Sequence, residues 1–161
     1  MSILTEIKKP VAAEMKEFES YFNKTLQSDV PFFKLILNTI LRRKGKQMRP
    51  LLVFLTAKLN GEIKESSYVA ATMIELLHTA TLVHDDVVDE AIERRGLPSI
   101  NALWNSKIAV LVGDYLLAQG MLISVNKKSY EILGIVSDAV REIIKGELLQ
   151  FNKTRGLNIR E

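Results

Sequence analysis

Apolar residues recur at steps of three and four along almost the whole chain, the spacing of one helix face, and the elements follow from where that rhythm breaks. A first helix is predicted from about Thr5 to Gln27. Pro31 opens a second that reaches about Arg43, because proline's fixed φ and missing N–H suit a first helical turn. Gly45 interrupts the chain, and a third helix runs from about Lys46 to Leu59, with Pro50 in its first turn and Asn60-Gly61 as its stop. Ser66 or Ser67 can cap a long helix that continues to about Ile92. Gly96 and Pro98 mark a turn, Ser99 can cap a short helix through Trp104, and Ser106 begins another through about Val125. After a loop at Asn126-Lys127-Lys128-Ser129, the last helix spans about Tyr130 to Asn152. The apolar runs 108–112 and 132–136 have strand-like composition, but their continuations keep helical spacing for several turns, which favours helix. The expected fold class is therefore all-α, a helical bundle. The chain shows no internal repeat, low-complexity tract or interdomain linker, so residues 1–161 read as a single all-helical region.

Within the long helix, Asp85-Asp86-Val87-Val88-Asp89 gathers half of the chain's aspartates. At about 100° per residue, Asp85 and Asp89 lie about 40° apart on one face, with Asp86 on the flank. Carboxylates held that close stay ionised together when metal, a metal-bound phosphate or arginines supply counter-charge. Hard oxygen ligands favour Mg²⁺, Mn²⁺ or Ca²⁺. A solvated acidic helix face is the alternative reading of the same residues. Both histidines, His78 and His84, precede the cluster closely, and Arg94-Arg95 follow it. His78 lies about 20° from the Asp85 direction and roughly 10 Å along the axis. Lys46 and Arg49, three residues apart, are placed by the expected helix on one side of a turn. Acidic metal ligands surrounded by bases suit a substrate that carries phosphates.

Taken in order and spacing, GKQMRP from Gly45, ELLHTATLVHDDVVDEAIERRGLPSINALW from Glu75 and VLVGDYLLAQ from Val110 resemble the trans-polyprenyl diphosphate synthases, head-to-tail prenyltransferases of isoprenoid biosynthesis. The resemblance implies the helical bundle of isoprenoid synthases, and a reaction in which an allylic diphosphate condenses with isopentenyl diphosphate. It implies that Asp85 and Asp89 hold Mg²⁺, with Mn²⁺ as a possible substitute, on the allylic diphosphate, with Asp86 in support. Lys46, Arg49, His78 and Arg95 match the residues that hold isopentenyl diphosphate, and Arg94 the arginine on the allylic diphosphate. Asp85, Asp89 and Arg94 are the expected catalytic set. Leu97 departs from the lysine that often follows Arg-Arg-Gly in the family. Ala80 and Thr81 match positions where short-chain relatives block the growing tail with aromatic rings; their small size here implies a long product, six to ten isoprene units. His84 has no implied role and is expected to be structural.

The family also carries a second Asp-Asp-x-x-Asp motif downstream, and no other Asp-Asp pair occurs here. The chain thus resembles the N-terminal half of such a synthase, and little or no prenyl transfer is expected from it alone. The resemblance further implies a homodimer built on the segments 108–125 and 130–151.

Composition narrows the remaining classes. Hydrophobic residues make up 47% and charged residues 25%, a globular balance. A net charge of +3 without a basic run interleaved with aromatics gives no case for nucleic acid. The chain has no cysteine, which removes disulfides and thiol chemistry and is compatible with the cytoplasm, the expected location. The N-terminus lacks the apolar core of a signal peptide, and no transmembrane segment is expected. Two other classes stay open at this point: a non-catalytic diphosphate-binding fragment or partner subunit, and a di-iron bundle suggested by Glu75-x-x-His78. The latter needs a second Glu-x-x-His, and His84 follows Thr81 instead.

Overall fold

The computed structural model describes residues 3–42, 45–94 and 96–154. Two helices, α1 (Ile3–Lys8) and α2 (Ala12–Thr25), stand where one was expected. Pro10 divides them: it has no N–H to donate and its ring blocks the preceding turn, so Lys9–Val11 tightens into a 3₁₀ turn. Lys58 Nζ donates to the carbonyl of Pro10 and fastens this break to the next layer. In α2 the buried Met15, Phe18 and Phe22 fall at three- and four-residue steps, the face that enters the core.

Helix α3 (Pro31–Arg42) buries Ile36 and Leu37, and α4 (Met48–Leu59) buries Pro50, Leu51 and Phe54. The start of α4 departs from expectation. Gln47 takes a left-handed backbone (φ 52°), so the helix begins at Met48, and Lys46 precedes it. Lys46 and Arg49 therefore do not share one helical turn.

The long helix α5 (Glu65–Val88) is the centre of the fold. Its cap is Lys64, and the expected serines lie inside the first turn; Ser67 Oγ accepts from the Lys64 N–H at 3.3 Å. The helix ends four residues earlier than predicted, because Glu90 adopts φ 51° and turns the chain into a small hairpin, β1 (Glu93–Arg94) and β2 (Leu97–Pro98). The strands pair antiparallel, Glu93 with Pro98 and Arg94 with Leu97, around Gly96 at φ 77°. The sequence marked a turn here but not the pairing.

Ser99 caps α6 (Ile100–Trp104) by accepting from the Ala102 N–H, and its own hydroxyl donates to the Ala91 carbonyl at 2.6 Å. Asn105 caps α7 (Ser106–Asn126). The buried residues of α7, Ala109, Val112, Gly113, Leu116, Gly120 and Ser124, form one stripe, and this helix packs chiefly on α5. Small residues in that stripe let the two backbones approach. Helix α7 is long and apolar enough to cross a membrane by length and composition alone, a test that core helices also pass. Helix α8 (Tyr130–Thr154) rests on α7 through its first half. From Arg141 to Phe151 every one of its residues is exposed.

Candidate functional site

A cleft of about 870 Å³ opens where the end of α3, the start of α4, the middle of α5 and the hairpin meet. The break at Gly45 and the left-handed Gln47 bring Lys46 to its wall, and the first turn of α4 brings Arg49. Helix α5 contributes Glu75, His78 and Thr79, one face at three- and four-residue steps, and then Leu82, Val83 and Asp86. The hairpin contributes Arg94. Phe22, Ile40, Leu41, Val83 and Ile100 make an apolar floor beneath these polar groups.

Four residues separated by up to 48 positions, Lys46, Arg49, His78 and Arg94, thus border one cavity. Arg95 lies outside the described residues. Arg42, at the last turn of α3, and Gln47 also border the cleft and were not singled out from sequence. Arg42 closes an apolar helix that points its C-terminal end at the Gly45 break, and that was the available signal.

The acidic cluster divides. Asp86 is buried, and its Oδ1 accepts from Arg94 Nε. Asp85 and Asp89 are exposed, and Asp89 caps the helix with its N–H on the Asp85 carbonyl at 2.8 Å. Partial desolvation, and next the Asp89 charge, push the Asp85 carboxyl above its ordinary range; Arg94 pulls it partly back. Neither Asp85 nor Asp89 borders the cleft. Among the described residues no three His, Asp or Glu side chains converge on one cation position. The donors nonetheless suit a hard divalent ion: two open carboxylates one turn apart, with an excess of negative charge at Asp85, leave the other coordination positions to water or phosphate oxygens.

His84 turns away from the site. Its Nε2 lies 3.2 Å from the Val110 carbonyl and 3.5 Å from Asp114 Oδ1, joining α5 to α7. Thr81 is half-buried and its hydroxyl donates to the His78 carbonyl at 2.9 Å, while Ala80 is fully buried in the core. Neither borders the cleft.

A family model described as polyprenyl synthetase matches residues 30–161. The chain is 41% identical over 147 residues to the all-trans-nonaprenyl-diphosphate synthase (geranyl-diphosphate specific) of Rhodobacter capsulatus, covering 90% of this chain and 45% of that protein. A crystal structure of polyprenyl synthase from Caulobacter crescentus, complexed with calcium and isoprenyl diphosphate, superposes with a TM-score of 0.88 at 32% identity, over 98% of this chain and 48% of that one. The decaprenyl diphosphate synthase of Rhodobacter capsulatus superposes with a TM-score of 0.86 at 33% identity, over 92% and 46%. The chain spans about half the length of the curated relatives it matches.

Proposed function

The chain belongs to the polyprenyl synthetase family, and from that premise we propose that it is the diphosphate-binding, N-terminal half of a trans-prenyltransferase domain. The whole protein joins an allylic diphosphate to isopentenyl diphosphate and yields a long all-trans polyprenyl diphosphate. The observation that carries this reading is the meeting of Lys46, Arg49, His78 and Arg94 around one cleft beside the open Asp85–Asp89 face.

In this reading Lys46, Arg49 and His78 hold the diphosphate of isopentenyl diphosphate, and Arg95 joins them. They fix the position of its C=C, which converts an encounter of two substrates into a positioned reaction. Arg94, fixed by Asp86, directs its remaining N–H donors at the allylic diphosphate and stabilises the negative charge that gathers there as the allylic C–O bond breaks. The C=C then forms the new C–C bond at the allylic carbon, and loss of a proton leaves the new trans double bond. Mg²⁺, or Mn²⁺, held by Asp85 and Asp89 when bound, would neutralise part of the leaving diphosphate's charge. Calcium and isoprenyl diphosphate accompany the Caulobacter relative, in keeping with a hard cation and a prenyl diphosphate as ligands of this fold.

A homodimer and a cytoplasmic setting are part of the proposal. The exposed apolar side chains Val110, Leu111, Met121 and Leu122 on α7, with Ile143, Ile144, Leu148 and Leu149 on α8, support the dimer.

A second reading, diphosphate binding without turnover by this chain alone, is favoured by the presence of only two open carboxylates in the cluster. Incubation with labelled isopentenyl diphosphate, an allylic diphosphate and Mg²⁺ separates the two. Retention of label on the protein without elongated product is expected of the chain alone, and elongation of the whole protein. No retention and no product in either would end the proposal.

A further inference from the structure

The last turn of α5 and its cap carry Asp85, Asp86 and Asp89 and no lysine or arginine. Negative charge at a helix C-terminus opposes the dipole, and like charges a turn apart repel, so an end of this composition frays unless something holds it. Immediately beyond it Glu90 takes a left-handed backbone (φ 51°) and the chain turns away. Two carboxylates on a fraying turn would keep no fixed separation for a cation.

Two contacts grip this turn from nearly opposite sides. At about 100° per residue, His84 and Asp86 point about 160° apart around the helix. Arg94 of the hairpin holds Asp86. Helix α7 holds His84, whose Nε2 lies 3.2 Å from the Val110 carbonyl oxygen and 3.5 Å from Asp114 Oδ1. Both of those oxygens accept, so Nε2 is the protonated ring nitrogen and donates. A β-carbon on Gly113 would stand 2.1 Å from the same nitrogen, which means that the imidazole rests on bare backbone of α7 and has little room to swing.

The remaining positions of the turn divide between the two anchors. Val83 and Val87 lie on the inner side and pack with Ile100 and Ala109. Asp85 and Asp89 lie on the outer side, about 100° and 140° round from His84, between it and Asp86. With both flanks held, the turn cannot rotate, and its two open carboxylates face outward together.

We propose that His84, oriented by Asp114 and seated on Gly113, is a positioning residue for divalent-cation binding: it locks the rotation of the α5 end so that Asp85 and Asp89 present their oxygens to one ion. The inference rests on the reading of Asp85 and Asp89 as metal ligands. His84 acts through the helix and touches neither the cation nor a substrate.

Binding of Mn²⁺ alone to the full chain, followed by electron paramagnetic resonance beside unfolding midpoints in metal-free buffer, tests it. His84→Ala should weaken Mn²⁺ binding roughly tenfold, the scale on which an outer contact orients a metal ligand. Removing an imidazole takes away no negative charge, so that loss reports geometry and not weaker electrostatic attraction. His84→Gln, which presents an N–H near the position of Nε2, should recover most of the affinity. Leu116 is fully buried in α7, three positions beyond Gly113. Leu116→Ala should lower the unfolding midpoint and leave Mn²⁺ affinity unchanged. Asp85→Asn reports on the site itself and should weaken binding more than His84→Ala does. If the parent binds no Mn²⁺, or Asp85→Asn binds it as the parent does, the metal reading falls and the inference with it. If Asp85→Asn weakens binding and His84→Ala does not, the metal reading stands and the inference alone is overturned. An equal loss in His84→Gln or in Leu116→Ala would also overturn it, because general loosening of α5 against α7 would then be the cause.

Discussion

Arg94 reaches back across the hairpin to Asp86, eight residues earlier, and the ion pair is closed on its acidic side and open on its basic side: the Asp86 side chain is 4% exposed and that of Arg94 35%. This pair separates Asp86 from its neighbours Asp85 and Asp89. It also fixes a guanidinium at the rim of the cleft with donors to spare.

Removing one partner leaves a buried charge without compensation. Arg94→Met should destabilise the chain by about 2 kcal/mol, below the roughly 3–5 kcal/mol of a fully buried pair because Arg94 is partly solvated. Asp86→Asn in the same chain should recover most of that loss. Denaturant midpoints of the single and double variants check it, and equal loss in both would mean that the pair contributes nothing specific.

A β-carbon on Gly113 would lie 2.1 Å from His84 Nε2, so this glycine is required by the close approach of the imidazole. Gly113→Ala should cost about 1–3 kcal/mol through forced repacking of α7 on α5. His84→Ala should relieve part of the cost in the double variant, which thermal unfolding would show as non-additive shifts.

Much of this was legible in the sequence because the helical rhythm is nearly unbroken and glycine, proline, serine and asparagine fall where it stops. Pro31, Ser99 and Ser106 marked their boundaries directly. The missed features are those set by one residue's backbone against the local pattern. Pro10 breaks a helix whose apolar spacing continues through it, and the left-handed Gln47 and Glu90 are not glycines, so nothing in the pattern announces them. In the site, spacing along α5 put Glu75, His78 and the aspartates in register. That Asp86 would be committed to Arg94, and that Ala80 would be packed in the core, depends on which helices surround α5, information carried by tertiary packing alone.

Asp85 gives a pH signature. Its carboxyl is raised by desolvation and then by Asp89, so between the ordinary aspartate value of about 4 and its raised folded value the folded chain holds a proton that the unfolded chain lacks. Stability contributed by that proton is lost as pH rises through the window. In metal-free buffer Asp85→Asn should flatten this part of the melting-temperature profile and be at least as stable as the parent at pH 7. Added Mg²⁺ should raise the melting temperature of the parent and not of the variant. A variant less stable than the parent at pH 7 without metal would contradict the crowding of charge described here.

The apolar outer faces of α7 and α8 should associate. Light scattering at micromolar concentration is expected to give a dimer or larger assembly, and Leu111→Lys with Leu122→Lys to shift it towards monomer. A monodisperse monomer of the parent chain would count against the proposed interface.

The account turns on the cleft's being a diphosphate site, and calorimetric titration of isopentenyl diphosphate into the chain tests that most directly. The expected result is one saturable site per chain that weakens as salt is added, with Lys46→Ala and Arg49→Ala each lowering affinity by roughly tenfold, the loss of one charge-assisted contact. Absence of binding, or an affinity unchanged in both variants, would contradict it.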